Sequence, residues 1–474
     1  MNHRVGLDRS QTLLFPESLE EYVTAENPVR FLDAFVGSLD LRGLGFARAQ
    51  CADTGRPPYD PALLLKLYLY GYLNRIRSSR LLEAECQRNV EVIWLLGKLA
   101  PDFKTIADFR KDNLKPLKAV CRQFTLLCRK LELFGGELLA IDGSKFKAVN
   151  ARDKNFNAEK LKELIAHSDA RLAEYLQELD GADEQESGSG TLSKAQLQEK
   201  IAALTERKEW HEELLAQLDE KDKQISVTDP DTRRMPTAQG NQVGYNAQVA
   251  VDAKNKLIAA DDVTNEVTDI NQLANMALEA KANLDLQQTE VVADTGYYNA
   301  SEVSRCVEQN IQPFIPKADT SANTARGLYG KSKFKFAGDR DVYVCPAGGE
   351  LTYRFSTYEL GRELRYYRAR GCRECVLKSQ CTRNKANRTI TREANEHLME
   401  AMAERMKREP GKFKLRKALA EHPFGTIKRS LGYTHFLLKG LEKVRTEWSL
   451  ITLVYNIKRV LNLVSLEKLM QAVA

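Results

Sequence analysis

Long apolar runs are missing from this 474-residue chain. A membrane-spanning helix needs roughly 18 uncharged apolar residues in a row, and the nearest approach, Ala62 to Leu73, is shorter and carries Lys66. No apolar stretch follows Met1-Asn2-His3-Arg4 to serve as a secretory signal. The expectation is a cytoplasmic protein with no membrane partner. Histidine is scarce: His3, His167, His211, His397, His422 and His435 are the whole set, and none forms the H-E-x-x-H pair that binds zinc on one helix face. A phosphate-cradling loop is missing too. Gly330-Lys331-Ser332 ends like one, but Ala325 stands where its first glycine belongs and no apolar strand leads in, which argues against ATP hydrolysis. No serine or tyrosine constellation suited to a covalent intermediate is recognisable.

What is present is ordinary in amount and uneven in placement. Charged residues make up 29% and hydrophobic ones 43% of the chain, as in soluble globular proteins, and the length suggests two or three domains. The net charge is +6 and the pI ≈ 8.7. Between Arg362 and Arg392 stand ten Lys or Arg against two Glu, and between Arg405 and Arg429 nine against Glu409 and Glu421. A solvated helix face usually mixes signs, whereas stripes of one sign are the footprint of a polyphosphate binder. Double-stranded DNA is therefore the expected partner.

Periodicity divides the chain. Residues 1–135 read as helical: Pro57-Pro58 and Pro61 precede an apolar stretch, Ser78-Ser79 can cap the next segment, and Thr105 can cap Ile106 to Asn113. Short helices of this kind suit a helix-turn-helix reader of DNA, although ordinary bundles show the same pattern. Strands begin near Glu137. Val243 to Val251 alternates, and Asp252-Ala253-Lys254-Asn255-Lys256 turns the chain into Leu257-Ile258-Ala259-Ala260, a hairpin by period and turn chemistry. A helix over 268–284, a strand ending at Asp294, a helix over 301–309 and a strand over 311–315 then predict an α/β sheet of mixed direction. Leu161, Ile165, Leu172, Leu176 and Leu179, with Leu197, Ile201, Leu204, Leu215 and Leu218, predict two helices joined by a polar connector from Gly181 to Thr191. Such a pair makes a coiled-coil arm with a structural or dimer-contact role.

Cys51, Cys86, Cys121, Cys128 and Cys306 are scattered and expected to be free thiols. Cys345, Cys372, Cys375 and Cys381 differ, because Cys372-Arg373-Glu374-Cys375 places two thiolates on one knuckle with two more in reach. Four sulfurs close a tetrahedral Zn²⁺ site, so the expected metal is structural, held in a segment with few apolar runs to build its own core.

Three acidic residues stand in chemically suggestive places. Asp142 ends the apolar run Leu138-Leu139-Ala140-Ile141, Asp294 ends Val291-Val292-Ala293, and Glu421 lies in the second basic stripe. Two carboxylates at strand ends and one on a helix can hold two divalent cations about 3.5–4 Å apart for in-line attack on a phosphodiester. Asp252 also ends an apolar run, but its tight turn predicts a structural role. Glu400 and Glu404 are rivals for the third place. His422, beside Glu421, either orients a ligand or sits on the surface.

The phrases Ala140-Ile141-Asp142-Gly143-Ser144-Lys145, Val292-Ala293-Asp294-Thr295-Gly296-Tyr297 and Glu421-His422-Pro423-Phe424-Gly425-Thr426-Ile427-Lys428-Arg429 together resemble bacterial insertion-sequence transposases of the DDE class. The likeness is nearest to the group numbered eleven-eighty-two and spans roughly residues 15 to 465. It implies a ribonuclease H-like catalytic core over 136–320 and 395–474, preceded by the all-helical segment 1–135 for DNA recognition. A helical hairpin insertion (155–225) and a basic four-cysteine insertion (321–394) interrupt that core. It further implies that Asp142, Asp294 and Glu421 bind two Mg²⁺ or Mn²⁺ per active site, that the chain cuts element ends and joins them to target DNA, and that it works as a homodimer or higher oligomer. Related transposases place a Tyr and an Arg before the Glu and a Lys after it. Here Phe413 replaces the Tyr, and Arg416, Lys428 and the adjoining Arg429 are the expected phosphate contacts. The alternatives are a non-catalytic DNA-binding derivative and a nuclease of the same fold.

Overall fold

The computed structural model describes residues 18–50, 57–150, 154–184, 194–218, 224–237, 240–317, 322–359 and 362–474. Cys51 and most of the polar connector after Glu184 lie outside them. The chain opens with α1 (Val29–Gly37), α2 (Pro61–Leu73), α3 (Ser79–Arg88), α4 (Val90–Leu95), α5 (Phe103–Asp112) and α6 (Leu114–Lys130). Asp60 caps α2 through the Ala62 N–H with Pro61 in its first turn. The cap of α5 is Asp102, not Thr105: its carboxylate accepts from the Lys104 and Thr105 N–H groups and from the Thr105 hydroxyl. An anion at the positive end of a helix outcompetes a hydroxyl.

The central sheet is built from β1 (Leu138–Lys147), β4 (Arg233–Thr237), β5 (Gly240–Asp252), β6 (Ile258–Thr264), β7 (Thr289–Val292) and β8 (Ile311–Phe314). The long β5 pairs antiparallel with β1 on one side and with β4 and β6 on the other, while β7 and β8 run parallel to β1 beyond it. β1 does not stop at Asp142 as the apolar run suggested. Its ladder with β5 carries it on through Ser144 and Phe146 to Lys147.

Between β1 and β4 a small pair, β2 (Asn155–Asn157) and β3 (Gln224–Ser226), roots the arm formed by α7 (Ala158–Glu184) and α8 (Lys194–Gln217). Phe156, Leu161 and Leu214 close its base. α7 runs on through Gly181, expected to begin the connector.

After β8 comes a second, antiparallel sheet of β9 (Lys335–Ala337), β10 (Val342–Val344), β11 (Glu350–Glu359), β12 (Arg362–Ala369) and β13 (Thr389–Glu393), flanked by the single turns α11 (Ala322–Ala325) and α12 (Lys378–Cys381). It has its own core of Phe334, Tyr343, Leu351, Tyr367, Ala369 and Ile390. The sequence concealed that core because its apolar residues come singly at strand period instead of in runs.

The remaining helices are α9 (Leu273–Leu284), α10 (Ala300–Glu308), α13 (Glu396–Arg408), α14 (Pro410–Gly425), α15 (Leu441–Leu463) and α16 (Leu466–Val473). They cover both faces of the central sheet, because alternate side chains of its strands point to opposite sides. Leu139, Ile141, Ala250, Val291 and Ala293 pack against α9, α10 and α13. Leu138, Ala140, Val292 and Phe314 meet Leu419 and Ala420 of α14. Tyr245, Ala247, Val249 and Val251 meet Trp448 and Val454 of α15 in a core continuous with Phe31, Tyr68 and Phe124 of the opening helices. α15 is thus buried between sheet and helical segment, and Arg77 of that segment forms a buried ion pair with its Glu447. Among the described residues no helix is long and apolar enough to cross a membrane.

Candidate active site

β1 and β7 set the two aspartates side by side. Ala140 pairs with Val292 in the parallel ladder, so Asp142 and Asp294 each lie two residues past that rung. By alternation Asp142 shares the α14 face with Ala140. One Asp142 oxygen accepts from the Gly143 N–H (3.0 Å), and the other lies 3.4 Å from an Arg416 guanidinium nitrogen of α14. Asp294 ends its strand in a tight turn, where its carboxylate accepts from the Gly296 N–H at 2.8 Å. Burial pushes the Asp142 carboxyl up to about 6; Arg416 pulls it down, while Asp294 and Asp269 push it further up. A buried carboxyl whose proton affinity is raised by burial and by neighbouring carboxylates is a recognised mark of functional sites.

Glu421 sits on α14 between Arg416 and Lys428, exposed to solvent. Among the described residues no three His, Cys, Asp or Glu side chains are grouped so as to hold a metal ion. The fold therefore brings Asp142 and Asp294 together and does not close Glu421 onto them. Its rivals are occupied elsewhere: Glu400 takes both Arg392 guanidinium nitrogens at 2.6 and 2.8 Å, and Glu404 pairs with Lys407.

Lys428 differs from its expected part. It lies in the π-helical turn Thr426–Ser430 and points inward, donating to the Ser144 hydroxyl (2.7 Å) and the Lys145 carbonyl (3.1 Å) with its ammonium over the Phe146 ring. Burial lowers its pKa. Arg429 next to it is exposed. His422 is half-buried and shares a hydrogen bond with the Tyr455 hydroxyl at 3.0 Å, so it does not lie free on the surface. Asp252 is the structural residue expected of it, buried and accepting from the Gly135, Gly136 and Lys254 N–H groups.

The basic stripes are partly spent on the fold. Arg388 and Arg392 are buried, Arg365 pairs with Asp341, and Lys412 pairs with Glu290 and Glu409. Long cationic side chains readily bury their stems in this way. Arg368, Arg370, Arg373, Arg383 and Lys385, with Arg408, Lys414, Lys417 and Arg429, remain exposed.

The four cysteines singled out by spacing line a common cavity without being grouped as metal ligands. Cys345, Cys372, Cys375 and Cys381 line one cavity of ≈ 30 Å³ and are free thiols. Burial raises the Cys381 pKa, and the other three sulfurs add to the rise while Arg388 opposes it.

Sequence reasoning missed the polar cluster behind the aspartates. Asn246 and Gln248 of β5 are wholly buried, and both donate to Asp269, at 2.6 and 2.7 Å. Lys145 of β1 reaches the same oxygen at 3.4 Å. The signal was legible, since two amides stand at alternate positions in an otherwise buried strand.

The chain matches the family model described as Transposase DDE domain over residues 344–461 and the Transposase domain (DUF772) over residues 17–112. Among solved structures it is similar to a piggyBac transposase synaptic complex with hairpin DNA, with 9% identity, 94% of this chain and 79% of that chain covered, and a TM-score of 0.32. That likeness is too distant to bear on this chain. No curated protein matches it. The two domain matches cover most of the opening helices and a stretch of about a quarter of the chain that holds Arg416, Glu421 and Lys428, and together they support a DDE-type transposase of an insertion sequence, a class of enzymes that cleave DNA strands and transfer them.

Proposed function

We propose that the chain cuts the ends of an insertion sequence and joins them to target DNA at Asp142 and Asp294, with two Mg²⁺ or Mn²⁺ ions held there and Glu421 as the third ligand. One observation carries this reading: two carboxylates set side by side by adjacent parallel strands, one of them buried and raised by that burial and further by the other. Hard oxygen donors of this kind suit those cations. When bound, the ions would lower the pKa of the attacking water or 3′-hydroxyl and stabilise the leaving oxygen. The chain's own residues orient and exclude. Gly143 and Gly296 hold the carboxylates through backbone N–H groups, Arg416 neutralises Asp142 until cations arrive, and Lys428 ties the α14 end to β1 beside the site.

A ribonuclease H-like core is supported by the order β6-β5-β1-β7-β8, antiparallel on one side of β1 and parallel on the other. The exposed cations of the second sheet and of α13 and α14 would follow the DNA backbone. The opening helices would read the element's ends, and the four-cysteine cavity would take one Zn²⁺. Pairing two ends is a task for a homodimer or higher oligomer.

The test is strand cleavage in Mg²⁺ by Asp142→Ala, Asp294→Ala and Glu421→Ala, each expected to lose activity while still binding DNA. Near-normal cleavage by Glu421→Ala together with loss in Glu404→Ala or Glu400→Ala would overturn the third ligand. Full activity in Asp142→Ala or Asp294→Ala would overturn the site.

A further inference from the structure

Asp269 belongs to neither of the strands that carry the aspartates, yet it touches the neighbourhood of both. It sits in the connection between β6 and α9, on the face of β1 opposite Asp142. One of its oxygens takes Asn246 Nδ2 at 2.6 Å, Gln248 Nε2 at 2.7 Å and Lys145 Nζ at 3.4 Å. That arrangement explains the glycine after Asp142: a Cβ there would lie 2.3 Å from Gln248 Nε2 and 2.7 Å from the Asp269 oxygen. The second Asp269 oxygen faces the other aspartate's turn, where a Cβ on Gly296 would lie 3.0 Å from Asp294 Oδ1 and 3.8 Å from Asp269 Oδ2. Gln248 extends the link by accepting from the hydroxyl of Tyr297 in that same turn. A chain of contacts thus runs from Lys145, three residues past Asp142, through Asp269 and Gln248 to Tyr297, three residues past Asp294.

The network is held at a cost. Asn246 Oδ1 is buried with no hydrogen-bond partner, and an orphan of that kind is destabilising. Its amide keeps this orientation because the Nδ2 group is engaged by Asp269 and by the Glu266 carbonyl. Expense of that kind concentrates where geometry matters for function.

We propose that Asp269 is a positioning residue that fixes the separation of Asp142 and Asp294, and so sets how tightly the pair binds divalent cations. The inference rests on the reading of those two aspartates as metal ligands. Partners behind first ligands commonly change metal affinity by about 10- to 100-fold when removed.

The test is Mn²⁺ titration of the full-length, DNA-free protein followed by electron paramagnetic resonance, alongside melting temperature in chelator and the Mn²⁺ dependence of cleavage. Asp269→Asn keeps the shape and removes the charge. It should weaken Mn²⁺ binding by about tenfold or more, leave the chelator melting temperature close to the parent's, and regain most of its turnover at saturating Mn²⁺. Unchanged affinity, or a loss of affinity only in step with a loss of melting temperature, overturns the proposal. If Asp269→Asn does not fold, Gln248→Met decides. It severs the Tyr297 link and should weaken Mn²⁺ binding in the same direction, and parent-like affinity refutes the idea. Asp142→Ala separates the two readings. If it binds Mn²⁺ like the parent, the site itself is misassigned; if it loses Mn²⁺ while Asp269→Asn and Gln248→Met do not, only the role of Asp269 fails.

Discussion

Replacing Asp142 with asparagine should stabilise the metal-free protein at neutral pH, although it removes a residue on which chemistry is proposed to depend. The carboxyl is raised from 3.8 to about 6, chiefly by burial and further by Asp294 and Asp269, with Arg416 already offsetting part of the rise. A shift of about two units corresponds to roughly 3 kcal/mol at about 1.4 kcal/mol per unit. The side chain is only 18% exposed, so solvent screening takes away little of it, and relaxation around the charge makes it an upper bound. Because the folded state holds this proton more tightly than the unfolded chain does, the penalty is absent below about pH 3.8, grows as pH rises and is complete above about pH 6. At roughly 2–4 °C per kcal/mol for a large domain, Asp142→Asn should melt several degrees higher than the parent in chelator at pH 7.5. The advantage should shrink toward zero in denaturant titrations near pH 4. Added Mg²⁺ should narrow it from the other side, since saturation to about ten times the dissociation constant stabilises the parent by about 1.4 kcal/mol. Calorimetry at the two pH values and with and without metal measures all of this. A variant no more stable than the parent at pH 7.5 in chelator, or one whose advantage persists unchanged at pH 4, would refute the reasoning.

Elemental analysis of the purified protein should find close to one zinc per chain, lost in Cys372→Ser/Cys375→Ser; less than a tenth of an equivalent in the parent sinks the site. Arg77→Met should cost about 3–5 kcal/mol by stranding the buried Glu447 carboxylate, and Arg77→Met/Glu447→Gln should recover much of it in chemical denaturation, so no recovery would count against the pair. Arg429→Ala should weaken binding to all DNA sequences alike and lower the salt slope by about one, whereas Lys428→Met should leave the slope and cut cleavage. Equal changes of slope in both would mean that Lys428 meets phosphate after all.

The pieces that a local pattern determines were legible. The hairpin of β5 and β6 follows from strict alternation and an Asp-rich turn, and the crossing from Asp142 to Asp294 follows from two apolar runs of strand length. What was less legible depended on competition within a turn or on partners distant in sequence. Thr105 is a good cap in isolation and loses to Asp102 because a carboxylate interacts more strongly with the start of a helix. Lys428 reads as one cation in a basic stripe, and only the π-helical turn and the Ser144 hydroxyl beside it turn the side chain inward. Arg388 and Arg392 read the same way and are buried, one on backbone carbonyls and the other on Glu400. Asp269 was invisible because its meaning lies in Asn246, Gln248 and Lys145, and a loop carboxylate carries no period.

The arrangement gives β1 two functions at once, and this constrains how the chain can vary. Asp142 and Ser144 face α14, where Arg416 and Lys428 meet them. Gly143 and Lys145 face the opposite side, where Asp269 waits. Sliding β1 by one residue against β5 would bring Asp142 into the place of Gly143, against Asp269, or in the other direction Lys145 into the place of Ser144, against Lys428, so like charges would meet either way. The nine-rung ladder from Leu139 to Lys147 against β5 prevents that slip, and it explains why β1 continues as a strand past the first acidic residue instead of ending there. The cations on the two faces also account for how the metal-free protein tolerates crowded carboxylates: Arg416 stands by Asp142 and Lys145 by Asp269, each a tethered charge within the chain. On the proposed reading, a divalent cation held between Asp142 and Asp294 would compete with Arg416 for the same oxygen. Displaced from it, that guanidinium would stand beside the site, suited to bind a phosphate.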